Sequence, residues 1–420
     1  MIRMACGALL TVVLALIAPI DPATIGVGWW TIEAESVRIA TAIIALALVA
    51  SLWPSIPRPS LGQPAWWFLS LPILGILGTP FADSPALALR SSVLAFLVGL
   101  AVVSAVRCFG REHSALLLLL ALGAQLVISV PVERFGLPTP LELFHAQDLG
   151  VSRLGRYRGV FSNPNEMGQA ALIALALLVA ARRRLRPEWI ALTGLVAAGS
   201  LIASQSRTSV LALVVAACAV GFFASSGRVR QVVGSFAALG AIGLVGLLAS
   251  GSLTRIFGSR DNGAPLTSFS GRTSIWQAAV DATSADPVSG VGFGNVDLAM
   301  LEARRLGTID NPVEHAHNTA LQVAVMLGLV GLLLFVVGVA VAARRVGDID
   351  AFDVRFIAVA LVVLGLTESL FRTVPVWFDI GLWWLCGAVS IQSKPTLRPK
   401  VRAVIDPKTV MKEGAHAATA

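Results

Sequence analysis

Long blocks of hydrophobic residues, separated by shorter polar segments, run through most of this chain. A helix needs roughly 17 to 25 apolar residues to cross the hydrocarbon core of a membrane, and the pattern predicts about twelve such spans, the third of which is short and interrupted by proline. We place them at residues 4–20, 37–53, 65–79, 91–106, 114–132, 167–181, 189–204, 208–224, 231–250, 316–342, 355–371 and 375–393.

The composition of the chain agrees with this pattern. Hydrophobic residues make up 56% of the sequence and charged residues only 13%, whereas soluble globular domains average about 45–50% and about 25%. We therefore predict an all-α fold, that of a polytopic membrane protein with about 12 transmembrane helices.

The polar segments divide the chain into four regions. We predict that residues 1–250 hold spans 1 to 9, with an outer loop near 133–166 after the fifth span. A large outer loop follows at 251–315, and spans 10 to 12 occupy 316–393. Residues 394–420 form a polar tail that we expect to be cytoplasmic and disordered.

Arginine clusters predict the orientation in the membrane. Lys and Arg accumulate in short cytoplasmic loops, and this chain carries Arg182, Arg183 and Arg184 after the sixth span, with Arg344 and Arg345 after the tenth. Both termini are therefore predicted to be cytoplasmic, and the two large polar segments external. The net charge of +8 follows from this topology and requires no nucleic-acid partner.

The large outer loop is longer than a connection requires, and such loops are usually functional or disordered. Helical spacing predicts one short helix in "SGRTSIWQAAVDATSADP", capped by Ser270, and a second from an Asn295 cap to a Gly307 stop. The intervening "GVGFGN" lacks the strand–turn–helix context of a dinucleotide-binding loop, so we interpret it as a tight turn.

Several arginines lie on the predicted external side, against the usual charge bias: Arg156, Arg158, Arg207, Arg272 and Arg372. Guanidinium groups bind phosphate oxygens in bidentate fashion. A general preference of this sequence for arginine explains the identity of these cations but not their placement. We therefore predict that Arg158, Arg207 and Arg272 bind a diphosphate group, with Arg156 in a supporting position.

Glu368 and Arg372 lie within the eleventh predicted span or at its end. A charge at the centre of a membrane helix costs roughly 2.5 to 3.5 kcal/mol on insertion scales and usually marks a functional cavity. Their spacing of four residues would let them pair on one helix face. A structural ion pair is as consistent with this pattern as a supporting role in a site.

Two of the five histidines, His315 and His317, lie at the edge of the tenth span, next to Asn318. On a helix, positions i and i+2 point to different faces, and no carboxylate–histidine array accompanies them, so we predict no metal site. A single imidazole is suited to accept a proton from a hydroxyl group. An interfacial polar anchor is the alternative interpretation.

Four stretches resemble, in the same order, the O-antigen ligase and polymerase family of bacterial membrane glycosyltransferases. They are "RYRGVFSNPNEMG", "SQSRTSVLAL", "GRTSIWQAAVDATSADPVSGVGFGN" and "HAHNTALQVAVMLGLVGLLLF", which together lie within residues 150 to 340.

This resemblance implies a transferase without metal or other cofactor that works on the external face of the bacterial plasma membrane. It would move a glycan from undecaprenyl diphosphate to a hydroxyl of a glycan or glycolipid acceptor, with inversion at the anomeric carbon. The motifs assign the diphosphate to Arg158, Arg207 and Arg272, and the general base to His317, directly before Asn318; His315 is the second candidate. Ligase and polymerase differ in acceptor, and the sequence leaves that choice open.

The competing interpretation is a transporter or flippase for an anionic or lipid-linked solute, in which the same arginines would line a path through the bilayer. Such proteins more often contain inverted repeats with broken helices near the membrane midplane. The two halves of this sequence have no convincing repeat.

Overall fold

The computed structural model describes residues 60–129, 163–224, 272–309, 313–373 and 375–391, together with isolated positions between 26 and 51 and between 157 and 161. The predicted spans at 4–20 and 231–250 lie outside the described residues, as do the outer loop at 133–156 and the tail from 392 onward. The chain divides into two compact units, Met1–Ser390 and Ile391–Ala420, and every helix given below lies in the first.

The predicted all-α fold is confirmed for the described residues, in which eleven α-helices occur. A minimal antiparallel ladder precedes them, with β1 (Gly26–Val27) paired to β2 (Trp30–Thr31). The helices are α1 Pro64–Gly78, α2 Pro85–Phe109, α3 Arg111–Ile128, α4 Pro164–Ala181, α5 Pro187–Ser204, α6 Arg207–Ala224, α7 Arg272–Ala285, α8 Val296–Arg305, α9 Thr319–Gly347, α10 Phe352–Gly365 and α11 Trp377–Ser390.

Five helical segments in the described part of the chain are long and apolar enough to cross a membrane. They are Pro64–Phe81, Pro85–Phe109, Pro164–Arg184, Pro187–Ser204 and Thr319–Gly347. This is a membrane protein, and the full number of twelve spans stays a prediction.

Proline and asparagine define where several of these helices begin. Pro64, Pro85, Pro164 and Pro187 each occupy the first turn of their helix, where the missing N–H leaves no intrahelical bond unmade. Pro72 inside α1 is accommodated without ending that helix. The prolines at the helix starts therefore lie shortly before the N-terminal ends of the predicted apolar blocks.

The buried centre of the bundle is formed by α2, α4 and α11. Residues of α11 are buried along nearly its whole length, and α4 is almost as deeply enclosed. Two tryptophans of α11 hydrogen bond to polar groups of α3: Trp377 Nε1 to Gln125 Oε1 at 2.6 Å and Trp384 Nε1 to Ser114 Oγ at 3.2 Å. Such bonds satisfy polar groups that would otherwise be costly inside a membrane bundle.

The helix after the histidines, α9, is broken at Gly328, whose φ of 62° and ψ of −163° are non-helical. Only glycine adopts such a conformation without strain. The glycine-rich turn bonds to the break: Val291 N donates to Val325 O at 2.9 Å, Gly292 N to Met326 O at 3.0 Å, and Leu329 N to Pro287 O at 2.8 Å. The turn thereby satisfies backbone groups that the break leaves without helical partners.

The two short helices predicted in the large outer loop are present as α7 and α8. "GVGFGN" is the predicted turn between them, with positive φ at Gly290, Gly292 and Gly294. Phe293, in the middle of this turn, is fully buried. The turn is thus an anchor that fixes the described part of this loop to the helical bundle.

Candidate active site

Polar residues from four helix ends meet in one place. They come from the start of α4, the start of α7, the segment just before α9 and the connection between α10 and α11. The group comprises Glu166, Arg272, His315, His317, Glu368 and Arg372, whose side chains are between 2% and 17% exposed. We call these six residues the charged cluster.

The start of α4 is a reciprocal capping arrangement. Asn163 Oδ1 accepts from the backbone N–H of Glu166 at 3.0 Å, and Asn163 Nδ2 donates to Glu166 Oε1 at 3.0 Å. With Pro164 at the first helical position, this cap fixes the Glu166 side chain at the helix terminus. Asn165 points to another member of the cluster, since its Nδ2 lies 3.4 Å from Glu368 Oε1.

The histidine segment is a turn, so the expectation that the two imidazoles point apart is wrong. His317 has a left-handed backbone with φ of 50°, a conformation that histidine adopts more often than most residues. This turn brings the two rings together, with centroids 4.0 Å apart. Asn318 then caps α9 by accepting from Leu321 N at 3.1 Å and donating to Leu366 O at 3.2 Å.

The connection between α10 and α11 is held at both ends. Thr319 Oγ1 donates to Glu368 O at 2.9 Å and accepts from Leu370 N at 3.2 Å, which joins the connection to the first residue of α9. The Asp379 carboxylate accepts from Phe371 N and Val376 N, each at 2.8 Å. These bonds hold Phe371 at a φ of 57° and fix the chain on either side of Arg372.

Glu368 lies at the centre of the charged cluster. Its Oε1 is 2.9 Å from Nη2 of Arg272, and its Oε2 is 3.4 Å from Nδ1 of His317 and 4.0 Å from Nε2 of His315. Since the Glu368 side chain is almost fully buried, these partners replace water as its polar surroundings.

Arg372 connects the cluster to α4. Its Nη1 donates to Glu166 Oε1, and its Nη2 lies 3.2 Å and 3.3 Å from the two ring nitrogens of His315. The prediction that Glu368 and Arg372 pair on one helix face is wrong, because α10 ends at Gly365 and both residues lie in the non-helical connection. The two residues instead pair with different partners.

Burial and charge set the protonation of two members. Burial lowers the pKa of His315 well below its ordinary value, and the cations Arg372 and Arg272, together with His317, lower it further. Burial alone would raise the pKa of Glu368, but the interactions with His317, Arg272 and Arg372 outweigh that effect and lower it. His315 is therefore neutral and Glu368 ionised near pH 7.

A carboxylate does accompany the histidines, contrary to the sequence-based expectation. Potential ligand atoms of His315, His317 and Glu368 lie within 4.8 Å of one another, which is close enough to consider a metal ion. However, Nη2 of Arg372 contacts both ring nitrogens of His315, and Arg272 is bonded to Glu368. A metal ion would have to displace Arg372 from His315 and would still be repelled by Arg272, so these residues fit a metal poorly.

Most of the predicted site residues within the described part of the chain meet in the cluster: His315, His317, Arg272, Glu368 and Arg372. Arg207 begins α6, directly after the Ser204–Ser206 turn that packs against Gly168 of α4. Arg156 and Arg158 lie outside the described residues, so their predicted role stays a prediction.

The chain matches a family model and resembles a curated protein. Residues 191–336 match the family model described as O-Antigen ligase. The exopolysaccharide production protein ExoQ of Rhizobium meliloti (strain 1021) is 30% identical over 192 residues, which is 42% of this chain and 43% of that protein. The chain thus spans less than half the length of this curated relative. The resemblance to the O-antigen ligase family is confirmed.

The O-antigen ligase match divides the charged cluster into two groups. Residues 191–336 include Arg272, His315 and His317 of the cluster, and also Arg207, which is not part of it. Glu166 lies before this range, and Glu368 and Arg372 lie after it. In the folded chain, Glu166, Glu368 and Arg372 therefore join the cluster residues that lie inside the matched segment.

Two acidic residues of the site were not predicted from the sequence. Glu166 lies directly after "SNPN" at the start of an apolar block, and Asp379 lies inside the last one. The signal that could have identified Asp379 is an acidic residue inside a predicted membrane span, which is rare without a partner or a function, and Glu166 directly precedes such a span. Their partners, in the connection between α10 and α11, become apparent only in the folded chain.

Proposed function

We propose that this chain is a membrane glycosyltransferase of the ligase or polymerase type. It transfers a glycan from undecaprenyl diphosphate to an acceptor hydroxyl on the external face of the bacterial plasma membrane. The observation that carries this proposal is the turn at His317, which holds an imidazole beside a buried carboxylate and a guanidinium at the end of a membrane-length helix. The O-antigen ligase match, which covers His317 and Arg272 but not Glu368, supports the reaction class.

In the proposed reaction the acceptor hydroxyl attacks the anomeric carbon of the donor sugar. The proton of that hydroxyl passes to His317, and the bond from the anomeric carbon to the phosphate oxygen breaks. Its electron pair leaves with undecaprenyl diphosphate, so a single displacement inverts the configuration. His317 is a better base than His315, because its side chain is 17% exposed against 9% and because, among the described residues, its ring has no hydrogen bond and only the ion-pair contact with Glu368 and the ring contact with His315.

The leaving diphosphate requires positive charge, and we assign that role to Arg158, Arg207 and Arg272. Arg272 uses Nη2 for Glu368, and a guanidinium has further N–H groups in the same plane for phosphate oxygens. Held by Glu368, Arg272 would meet the donor in a fixed orientation. That fixed orientation reduces the side-chain entropy lost on binding.

The relative supports one acceptor class. Because that protein is named for exopolysaccharide production, we favour polymer assembly, in which the acceptor is a second lipid-linked glycan. The membrane orientation completes the proposal: both termini face the cytoplasm, and the charged cluster faces outward, where the acceptor chain grows.

A reconstituted transfer assay tests the proposal. Purified protein in lipid nanodiscs would be given an undecaprenyl-diphosphate glycan, and chain extension would be followed by gel or mass spectrometry. We expect turnover by the native protein and a loss of about 10²- to 10⁴-fold in His317→Asn, since a general base contributes that much. Asparagine tolerates the left-handed backbone at this position, so the variant should fold. Movement of the donor across the bilayer without glycan transfer would instead favour a flippase.

A further inference from the structure

The charged cluster contains two imidazoles and two carboxylates, but only one imidazole–carboxylate pair has its nitrogen and oxygen within 3.5 Å. Nδ1 of His317 lies 3.4 Å from Oε2 of Glu368. The corresponding distance from His315 is 4.0 Å, and Glu166 is bonded to Arg372 instead. The two histidines are therefore held in different ways.

His315 has the geometry of a structural residue. Nη2 of Arg372 is nearly equidistant from its two ring nitrogens, at 3.2 Å and 3.3 Å. A guanidinium in that position contacts the ring as a whole and does not select one nitrogen for a proton. It also opposes a positive charge on the ring, so His315 is unsuited to accept a proton.

Glu368 is fixed from three directions, so its position beside His317 is determined by the fold. Its Oε1 accepts from Arg272 at 2.9 Å and from Asn165 at 3.4 Å, and its backbone carbonyl accepts from Thr319, two residues after His317. Only Oε2 remains for the imidazole. At 3.4 Å this contact is not a hydrogen bond, and Nδ1 of His317 has no hydrogen-bond partner among the described residues. Hydrogen bonds of catalytic groups are often long or poorly aligned before substrate binds and tighten in the complex.

A carboxylate beside one imidazole nitrogen determines where the proton of the neutral ring resides. With the proton on Nδ1 facing Oε2, the lone pair of Nε2 is free. No described residue hydrogen bonds to Nε2 of His317. This nitrogen is therefore available to an acceptor hydroxyl.

We infer that Glu368 is the positioning residue that holds His317 in the Nδ1–H tautomer, with Nε2 as the atom that takes the proton from the acceptor hydroxyl. This inference rests on the proposed function for its role in transfer. The orientation itself is a property of the protein without substrate. Arg272 completes the arrangement by keeping Glu368 ionised and in place.

Nitrogen-15 NMR of histidine-labelled protein in nanodiscs tests the orientation without any catalysis. Imidazole nitrogens with and without a proton have well-separated chemical shifts, and the His317 signals are identified by their loss in His317→Gln. We expect the Nδ1–H tautomer in the native protein and the Nε2–H tautomer, or a mixture, in Glu368→Gln. The same tautomer in both proteins, or Nε2–H in the native protein, would overturn the inference.

Glu368→Gln leaves the partly buried Arg272 without its ion-pair partner and would destabilise the fold if that pair is required. The double variant Glu368→Gln/Arg272→Gln removes both charges and is measured alongside, with the same tautomer change expected. Glu166→Gln is the matched control: an equally buried carboxylate of the same cluster is neutralised, but it does not face His317. The control should keep Nδ1–H, and loss of that tautomer in the control would overturn the specific role of Glu368.

Kinetics link the tautomer to transfer. We expect kcat of Glu368→Gln to fall by about 10²- to 10⁴-fold with a much smaller change in the KM for donor, because the loss concerns proton transfer. Glu368→Asp, which keeps the charge, should recover part of the rate. A fall in donor affinity with unchanged kcat would overturn the positioning role. An Nδ1–H tautomer in a protein that transfers no glycan would refute the proposed function and leave the orientation standing.

Discussion

The guanidinium of Arg372 donates a hydrogen bond to the carboxylate of Glu166, which lies 206 positions earlier in the chain. Both side chains are nearly buried, at 11% and 4% exposure. Removing one partner of a buried ion pair leaves an uncompensated charge and costs about 3–5 kcal/mol, whereas removing both charges costs much less. This pair therefore joins the start of α4 to the connection before α11.

A double-mutant cycle tests the ion pair between Glu166 and Arg372. We expect Glu166→Gln and Arg372→Gln each to lower the unfolding temperature in detergent markedly, and the double variant to be more stable than either single variant. Thermal unfolding of all four proteins, followed by tryptophan fluorescence, gives the coupling directly. Additive losses would show that the two side chains do not stabilise each other.

The proposed diphosphate site predicts that lysine cannot replace arginine. Arg158→Lys, Arg207→Lys and Arg272→Lys keep the charge but lose the planar two-pronged hydrogen bonding, so turnover with a lipid-diphosphate donor should fall by at least about tenfold in each. The measurement is the initial rate of transfer, with expression and unfolding temperature recorded for each variant.

Arg305→Lys is the matched control for this series. Arg305 belongs to α8, in the same segment between α6 and α9 as Arg272, but its side chain is 69% exposed and its ion pair within the described residues is with Glu302. We expect its turnover to equal that of the native protein. Full turnover in all three site variants would place the diphosphate on other groups.

Helix positions were predictable from the sequence because apolar blocks and proline starts are local signals. Nine of the twelve predicted spans coincide with described helices. The eleventh was extended too far: Leu370 and Phe371 continue the apolar pattern, but the chain leaves the helix after Gly365 so that Asp379 and Thr319 can bond to the connection. Those bonds join the non-helical connection to α9 and α11, and spacing along the chain does not encode them.

The candidate site was predictable only in part for the same reason. His315, His317 and Arg272 lie in motifs whose residue types indicate their chemistry. The proximity of the two imidazoles depends on the left-handed backbone at His317, which a helical-wheel argument does not anticipate. The pairing of Arg372 with Glu166 depends on the packing of α4 against α10 and α11. Long-range pairing of this kind requires the folded structure.

The buried imidazole of His315 should make the folded protein less stable in mild acid. Burial and the cations around it, Arg372 and Arg272, lower the pKa of His315 in the folded state, whereas the unfolded value is about 6.5. Below that pH the unfolded chain binds a proton that the folded protein excludes, so stability falls as pH decreases, by up to about 1.4 kcal/mol per pH unit. Glu368 does not contribute in this range, because its pKa is lowered and its effect begins only in stronger acid.

The test compares unfolding temperatures at pH 7.5 and pH 5.5 for the native protein and His315→Gln. We expect a larger decrease in the native protein, because the variant has no imidazole to protonate at that position. His317 and Glu368, which also face His315, are present in both proteins and cancel in the comparison. Equal decreases would mean that His315 binds the same number of protons in the folded and unfolded states over this pH range.

The charged cluster is not expected to bind a divalent metal ion. His315, His317 and Glu368 offer three ligand atoms within 4.8 Å, but Arg372 contacts both ring nitrogens of His315, and its positive charge opposes a divalent cation. We therefore expect transfer to survive EDTA and zinc to leave the unfolding temperature of the native protein unchanged.

Removal of the Arg372 guanidinium should allow His315, His317 and Glu368 to bind a metal ion. In Arg372→Gln, zinc is expected to raise the unfolding temperature in a concentration-dependent manner, since a ligand that binds only the folded state stabilises it by mass action. His317→Gln in the same background should abolish the effect, because it leaves two ligands. Zinc-dependent stabilisation of the native protein that is lost in both His315→Gln and His317→Gln would instead show that Arg372 does not exclude the ion, and the cluster would then be a metal centre.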